Sequence, residues 1–117
     1  MVNLKNEIPL VALGGVVGAG VRSLFAELPL DTYQSLFIVN VLGAFLLGIL
    51  FTSTTSKSLR LFLGTGVLGG FTTTSALALT SLTQFENAPL ASLGYLAATF
   101  YGGLLLFRFA ERIQRHA

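Results

Sequence analysis

Residues 61–85 read LFLGTGVLGGFTTTSALALTSLTQF, 25 positions without a charged side chain. At about 1.5 Å per residue, such a stretch is long enough to cross a ~30 Å hydrocarbon layer as a helix. Its middle resists that conformation. Gly64, Gly66, Gly69 and Gly70, followed by Thr72, Thr73, Thr74 and Ser75, form the poorest helix-making segment of the chain. A helix broken there would release carbonyls and N–H groups, which lipid tolerates only where they line a cavity or bind an ion. Carbonyls suit a small cation; N–H groups and hydroxyls suit a small anion. The competing reading is an unbroken helix that uses its glycines for close packing.

Two more uncharged runs flank this one, 25 residues from Thr32 to Ser56 and 21 from Asn87 to Phe107. A fourth apolar stretch, Ile8 to Leu28, is interrupted by Arg22 and, near its end, by Glu27. The pattern predicts an all-α membrane protein with four transmembrane helices near 8–28, 33–54, 61–83 and 89–109 in one domain covering 1–117, the third helix broken near its centre. Composition points the same way. Of 117 residues, 53% are hydrophobic and 10% charged, whereas soluble domains carry roughly 25% charged residues, and so short a chain cannot hide this much apolar surface in a water-facing core. Barrel strands are about half as long as these runs and alternate with period two, which these do not. The connections carry breaker chemistry: Pro29 and Asp31, then Ser53 to Ser58, then Glu86-Asn87-Ala88-Pro89. No extramembrane domain is expected. Nor is a cleavable leader, since the first apolar run exceeds signal-peptide length and no Ala-x-Ala follows it.

Several function classes fall away. Without cysteine there are no disulfides, thiolate metal sites or thiol nucleophiles, and the redox compartment is unreadable. A net charge of +2 spread over a membrane chain makes no groove for nucleic acid. His116, the sole histidine, is penultimate, no two carboxylates fall at membrane depth, and Gly64-Thr65-Gly66-x-x-Gly69 has no preceding strand to make it a nucleotide fingerprint. An enzyme is not expected; an anion pathway or a structural membrane subunit remains.

Four spans place the N-terminus, second loop and C-terminus on one side. That side holds Lys5, Lys57, Arg60, Arg108, Arg112 and Arg115 beside Glu7 and Glu111; the other holds Glu27, Asp31 and Glu86, with Arg22 the only basic candidate. The positive-inside rule then puts both termini in the cytoplasm of a plasma-membrane protein with one orientation. Four helices are too few to enclose an aqueous path, so an oligomer is expected. Gly14-x-x-x-Gly18 and Gly66-x-x-x-Gly70 allow close backbone approach, either to a second subunit or within one.

The residues a lipid-facing helix should lack are the informative ones. Asn40 lies near the centre of the second span, Thr72 to Ser75 straddle the centre of the third, and Thr99 with Tyr95 one turn earlier marks the fourth. A single hydroxyl usually bonds its own i−4 carbonyl, but several at one depth beside an amide that needs partners point to an ion route. Arg22 sits roughly 21 Å along the first span. It either snorkels outward or faces an aqueous vestibule, a role made plausible by the lack of any acid between Ile8 and Ala26.

These residues carry a known pattern. Gly14-Gly15-Val16-Val17-Gly18-Ala19-Gly20-Val21-Arg22, then Val39-Asn40-x-x-Gly43-x-Phe45-x-x-Gly48, then Gly66-Val67-Leu68-Gly69-Gly70-Phe71-Thr72-Thr73 with Ser75 resemble the successive helix signatures of the Fluc (CrcB-type) fluoride channel family. The resemblance covers essentially the whole chain. It implies an antiparallel dual-topology dimer in which fluoride permeates passively at the subunit interface. It also implies roles: Arg22 at a vestibule, Asn40, Thr73, Ser75, Tyr95 and Thr99 along the ion pathway, and the backbone carbonyls of Gly69 and Thr72 on a structural sodium ion that is not transported.

The sequence departs from the family pattern in the third span and in its charge bias. Members continue the Thr-Thr pair as Phe-Ser-Thr-Phe, with two rings walling the ion path, whereas this chain has Thr74-Ser75-Ala76-Leu77. Phe71 is displaced by three residues. A subunit that pairs with copies of itself must insert both ways and should carry little charge bias; this one is strongly biased. Both departures favour a heterodimer with an oppositely oriented homologous subunit over a homodimer. The alternatives are a small multidrug-type proton-coupled antiporter, which needs a carboxylate deep in its first helix where this chain has only Glu7 and Glu27 at the edges, and a non-conducting structural subunit.

Overall fold

The computed structural model describes residues 4–53 and 56–115; Thr54, Thr55 and His116 lie outside the described residues. Those residues form helices joined by short connections, with no strand among them. Helix α1 covers Leu4–Ala26 and α2 Thr32–Ser53. The third span is two helices, α3 over 57–71 and α4 over Thr74–Asn87, and α5 covers Pro89–Arg115. Four segments are therefore long and apolar enough to cross a membrane, the third in two halves. The helices overrun the expected spans at several ends: α1 begins at Leu4 instead of residue 8, and α5 continues to Arg115 instead of 109.

Helix α3 starts where Ser56 accepts a hydrogen bond from the Leu59 N–H. Arg60–Leu68 is wound as a π-helix, so that the Gly69 N–H reaches back to the Gly64 carbonyl. The wider winding was not foreseen from the sequence, and such segments concentrate at functional sites.

Helix α1 lies directly on α3 through glycine. A Cβ placed on Gly14 would meet the Gly66 Cα at 2.8 Å, and one on Gly66 would meet the Gly14 Cα at 2.9 Å. Gly18 sits against the Val67 carbonyl and the Phe71 N–H, and Gly70 against Gly15. The two small-residue motifs thus bind each other within the subunit, and they are not available as a docking face for another. Helix α2 is the most buried span, with 33% of its central window inside the fold against 11% for α1 and for α5. It packs on α5, where Gly48 admits Phe107 and Ala110, and Phe45 stacks on Phe109 at 6.4 Å. Helices α4 and α5 form a hairpin in which the Ser92 hydroxyl donates to the Ser81 carbonyl at 2.5 Å.

Large apolar side chains face outward on every span, among them Val16, Leu79, Leu90, Tyr101 and Leu105. In water this surface would aggregate; in a bilayer it is the solvated surface. The buried apolar core is correspondingly small: Val39, Val41, Phe71, Leu77 and Ala110.

Candidate ion pathway

The helix break falls on Thr72 and Thr73, both extended at φ −82°, ψ 158° and φ −149°, ψ 114°. Asn40 on α2 holds it open. Its Oδ1 accepts from the Thr73 N–H at 2.8 Å, and its Nδ2 donates to the Thr73 carbonyl at 3.2 Å. One amide thus takes the N–H that Thr73 no longer gives along a helix and adds a donor to the Thr73 carbonyl, which, as that of the α4 N-cap, also accepts the first bond of that helix. Both ends of the amide are partnered, which is why an asparagine can stand at this depth. Thr73 in turn caps α4, its Oγ1 accepting from the Ala76 N–H at 3.2 Å, and lies 3.3 Å from the Ser75 hydroxyl.

These bonds leave particular carbonyls without their usual donors. In a continuous helix the Gly69 carbonyl would accept from Thr73 and the Thr72 carbonyl from Ala76. The Thr73 N–H is given to Asn40 and the Ala76 N–H to the Thr73 side chain. Gly69 and Thr72 both line an open cavity, so their released oxygens suit a hard cation such as sodium, which takes oxygen ligands.

Two cavities meet the Asn40–Thr73 bridge, one lined by Asn40 and the other by Thr73. The first, about 380 Å³, is bounded by α2, α3, α4 and α5 and lined by Asn40, Gly69, Thr72, Thr74, Leu77 and Thr99 among others. The second, about 440 Å³, holds Arg22, Ser23, Asp31, Ser35, Thr73 and Ser75. Arg22 therefore lines this second cavity. Asp31 shares that wall, capping α2 through an Oδ1 bond from the Gln34 N–H at 2.8 Å. Asp31 lies outside the acid-free stretch from Ile8 to Ala26, and only the first loop brings it round to the cavity that Arg22 lines. Its signal was the Asp-Thr pair that opens α2.

The other candidates divide. Thr72 and Thr99 use their hydroxyls locally, donating to the i−4 carbonyls of Leu68 and Tyr95 at 2.9 and 2.8 Å. Tyr95 lines neither cavity; its hydroxyl donates to the Tyr33 carbonyl at 3.0 Å, and the two rings meet edge-on at 5.6 Å. Tyr33 was not singled out in the sequence. Phe71 is buried against Phe25, edge to face at 5.4 Å, and lines neither cavity. It therefore does not substitute for the rings missing at 74 and 77.

The Thr73 cap makes a checkable contribution. Thr73→Val keeps the extended backbone but removes the Oγ1 acceptor, and is expected to cost about 1 kcal/mol. Thr73→Ser should recover it. Thermal unfolding in detergent distinguishes the two, and equal stability would show the cap to be dispensable.

A four-span, all-helical membrane protein whose third span breaks at mid-depth around an asparagine is a narrow structural class. The family model described as CrcB-like protein, Camphor Resistance (CrcB), matches residues 9–110, and the chain belongs to that family. Among its relatives, Fluoride-specific ion channel FluC 1 of Rhodococcus jostii is 44% identical over 108 residues, covering 92% of this chain and 84% of that protein. Fluoride-specific ion channel FluC 2 of Halalkalibacterium halodurans is 40% identical over 106 residues, with 85% and 78% covered. Fluoride-specific ion channel FluC of Anaeromyxobacter sp. strain K is 41% identical over 107 residues, with 82% and 85% covered.

Proposed function

We propose that this chain is a subunit of a passive fluoride-selective channel of the cell membrane, exporting fluoride from the cytoplasm. The supporting observation is the break held by Asn40 in the third span, with two cavities beside it whose mainly apolar walls carry a few polar side chains, and with no charged side chain among the described residues lining the first. Fluoride is small and tightly hydrated, so a selective route must replace water with amide and hydroxyl donors and positive ring edges. As a weak acid it enters cells as neutral HF and dissociates at cytoplasmic pH. The interior-negative potential then drives the trapped anion outward with no coupling machinery.

The working unit in this reading is an antiparallel dimer, with a homologous subunit of opposite orientation favoured over a second copy. The bias of Lys and Arg to one side and the Thr74 and Leu77 substitutions both support that preference. Both termini face the cytoplasm. A structural sodium ion would be held by the Gly69 and Thr72 carbonyls, two oxygens per subunit, so that completing its shell requires the partner. The antiporter alternative is weakened by Glu7, the first-helix acid, which is tied to Lys57 at 2.6 Å at the membrane edge. A non-conducting partner role keeps its support in the missing rings.

Fluoride efflux from liposomes tests this reading. With an oppositely biased homologue co-expressed, rapid efflux is expected, and with this chain alone, none. Efflux from the chain alone would overturn the heterodimer, and none from the pair would overturn the channel.

A further inference from the structure

The first cavity has fewer available donors than its polar lining suggests. A hydroxyl carries one proton, and those of Thr72 and Thr99 are already given to backbone carbonyls. Asn40 has given one of its two N–H groups to Thr73. Three groups with positive density remain on the wall. They are the second Asn40 N–H, the hydroxyl of Thr74, which makes no hydrogen bond among the described residues, and the ring edge of Phe100. Among the described residues, Phe100 is the only aromatic side chain lining this cavity, and it is 64% exposed in the single subunit. It stands next to Thr99 on α5 and lines the same cavity as Asn40.

We propose that Phe100 is an aromatic wall of the ion path, its positive ring edge serving the passing anion beside the Asn40 amide. The proposal rests on the fluoride reading above and assigns to α5 a task that α4 does not perform in this chain, since Thr74 and Leu77 offer no ring. A ring edge attracts an anion through its quadrupole. A leucine of comparable bulk fills the space without that field, so Phe100→Leu separates electrostatics from packing.

The experiment uses the channel as assembled in fluoride-loaded liposomes, carrying Phe100→Leu, Phe100→Tyr or Asn40→Asp, with assembly followed by size exclusion. Phe100→Leu is expected to lower fluoride efflux on the order of tenfold and to narrow the preference for fluoride over chloride, with assembly intact; Phe100→Tyr, which keeps the ring, restores most of both. Parental efflux from Phe100→Leu beside an inactive Asn40→Asp would overturn the role of Phe100 while leaving the path standing. Loss of assembly in Phe100→Leu would make the ring an interface contact and overturn it equally. Parental efflux from both Phe100→Leu and Asn40→Asp would overturn the fluoride path through this cavity itself.

Discussion

Asn40→Asp is expected to abolish fluoride efflux while leaving the subunit folded. The substitution is nearly isosteric, and a carboxylate oxygen can still accept from the Thr73 N–H, now as a charge-assisted bond. The donor half of the bridge is lost, because a carboxylate has no proton to give the Thr73 carbonyl. The donor that faced the cavity is lost as well, and a negative charge takes its place. At an effective dielectric of about 20, two like charges 4 Å apart repel by roughly 4 kcal/mol, about a thousandfold in occupancy. Asn40→Leu serves as the contrast. It strands the Thr73 N–H at membrane depth, at a cost of about 1–3 kcal/mol, and removes a second donor from a carbonyl that still accepts within α4, so its first effect should be on folding. Liposome efflux read beside thermal stability in detergent separates the two variants. Unchanged efflux from Asn40→Asp would place Asn40 off the conducting path and leave it a purely structural bridge.

Gly18→Ala should cost the fold more than any other single methyl group. A Cβ at this position falls on the Val67 carbonyl and comes within 2.8 Å of the Phe71 N–H. Both are backbone, so neither can rotate away, and α1 must lift off α3. Overpacking of this kind costs about 1–3 kcal/mol and more where the obstruction is rigid. The same change at Gly20 meets nothing within 4 Å. There the better helix propensity of alanine acts alone, worth up to roughly 1 kcal/mol in the stabilising direction. Two identical substitutions two residues apart should therefore shift the melting temperature in opposite directions. Equal shifts would mean that α1 does not rest on α3 through glycine. Because Phe71 immediately precedes the break, lifting α1 should also loosen the Thr72–Thr73 segment, visible as faster amide exchange at Thr73.

Much of the fold is written in residue types that act locally. The missing charges of 61–85 mark a span, and the glycines and threonines at its centre mark the break, because helix propensity is a property of each residue in turn. The depth of Asn40 could be counted along its helix. Its partner could not, since Asn40 and Thr73 are 33 residues apart. The same holds for Tyr95 and Tyr33, 62 residues apart, and for Asp31, which reaches the Arg22 cavity only through the turn after α1. The small-residue motifs are a subtler case. Sequence shows that two backbones can approach closely there, but whether those backbones belong to one subunit or two is a matter of helix placement.

By itself, the sequence determined the solvent, the number of spans, their charge bias and the weak point in the third. All of these follow from transfer free energies and propensities that sum along the chain. Only the tertiary structure decided that the glycine motifs face each other within one subunit, that the Asn40 amide takes the Thr73 N–H in place of the lost helical bond, and that the Gly69 and Thr72 carbonyls are left without their helical donors. Hydrogen-bond donors are finite and each can be given once. Which acceptors go without depends on which groups meet in space, and no local property of the sequence carries that account.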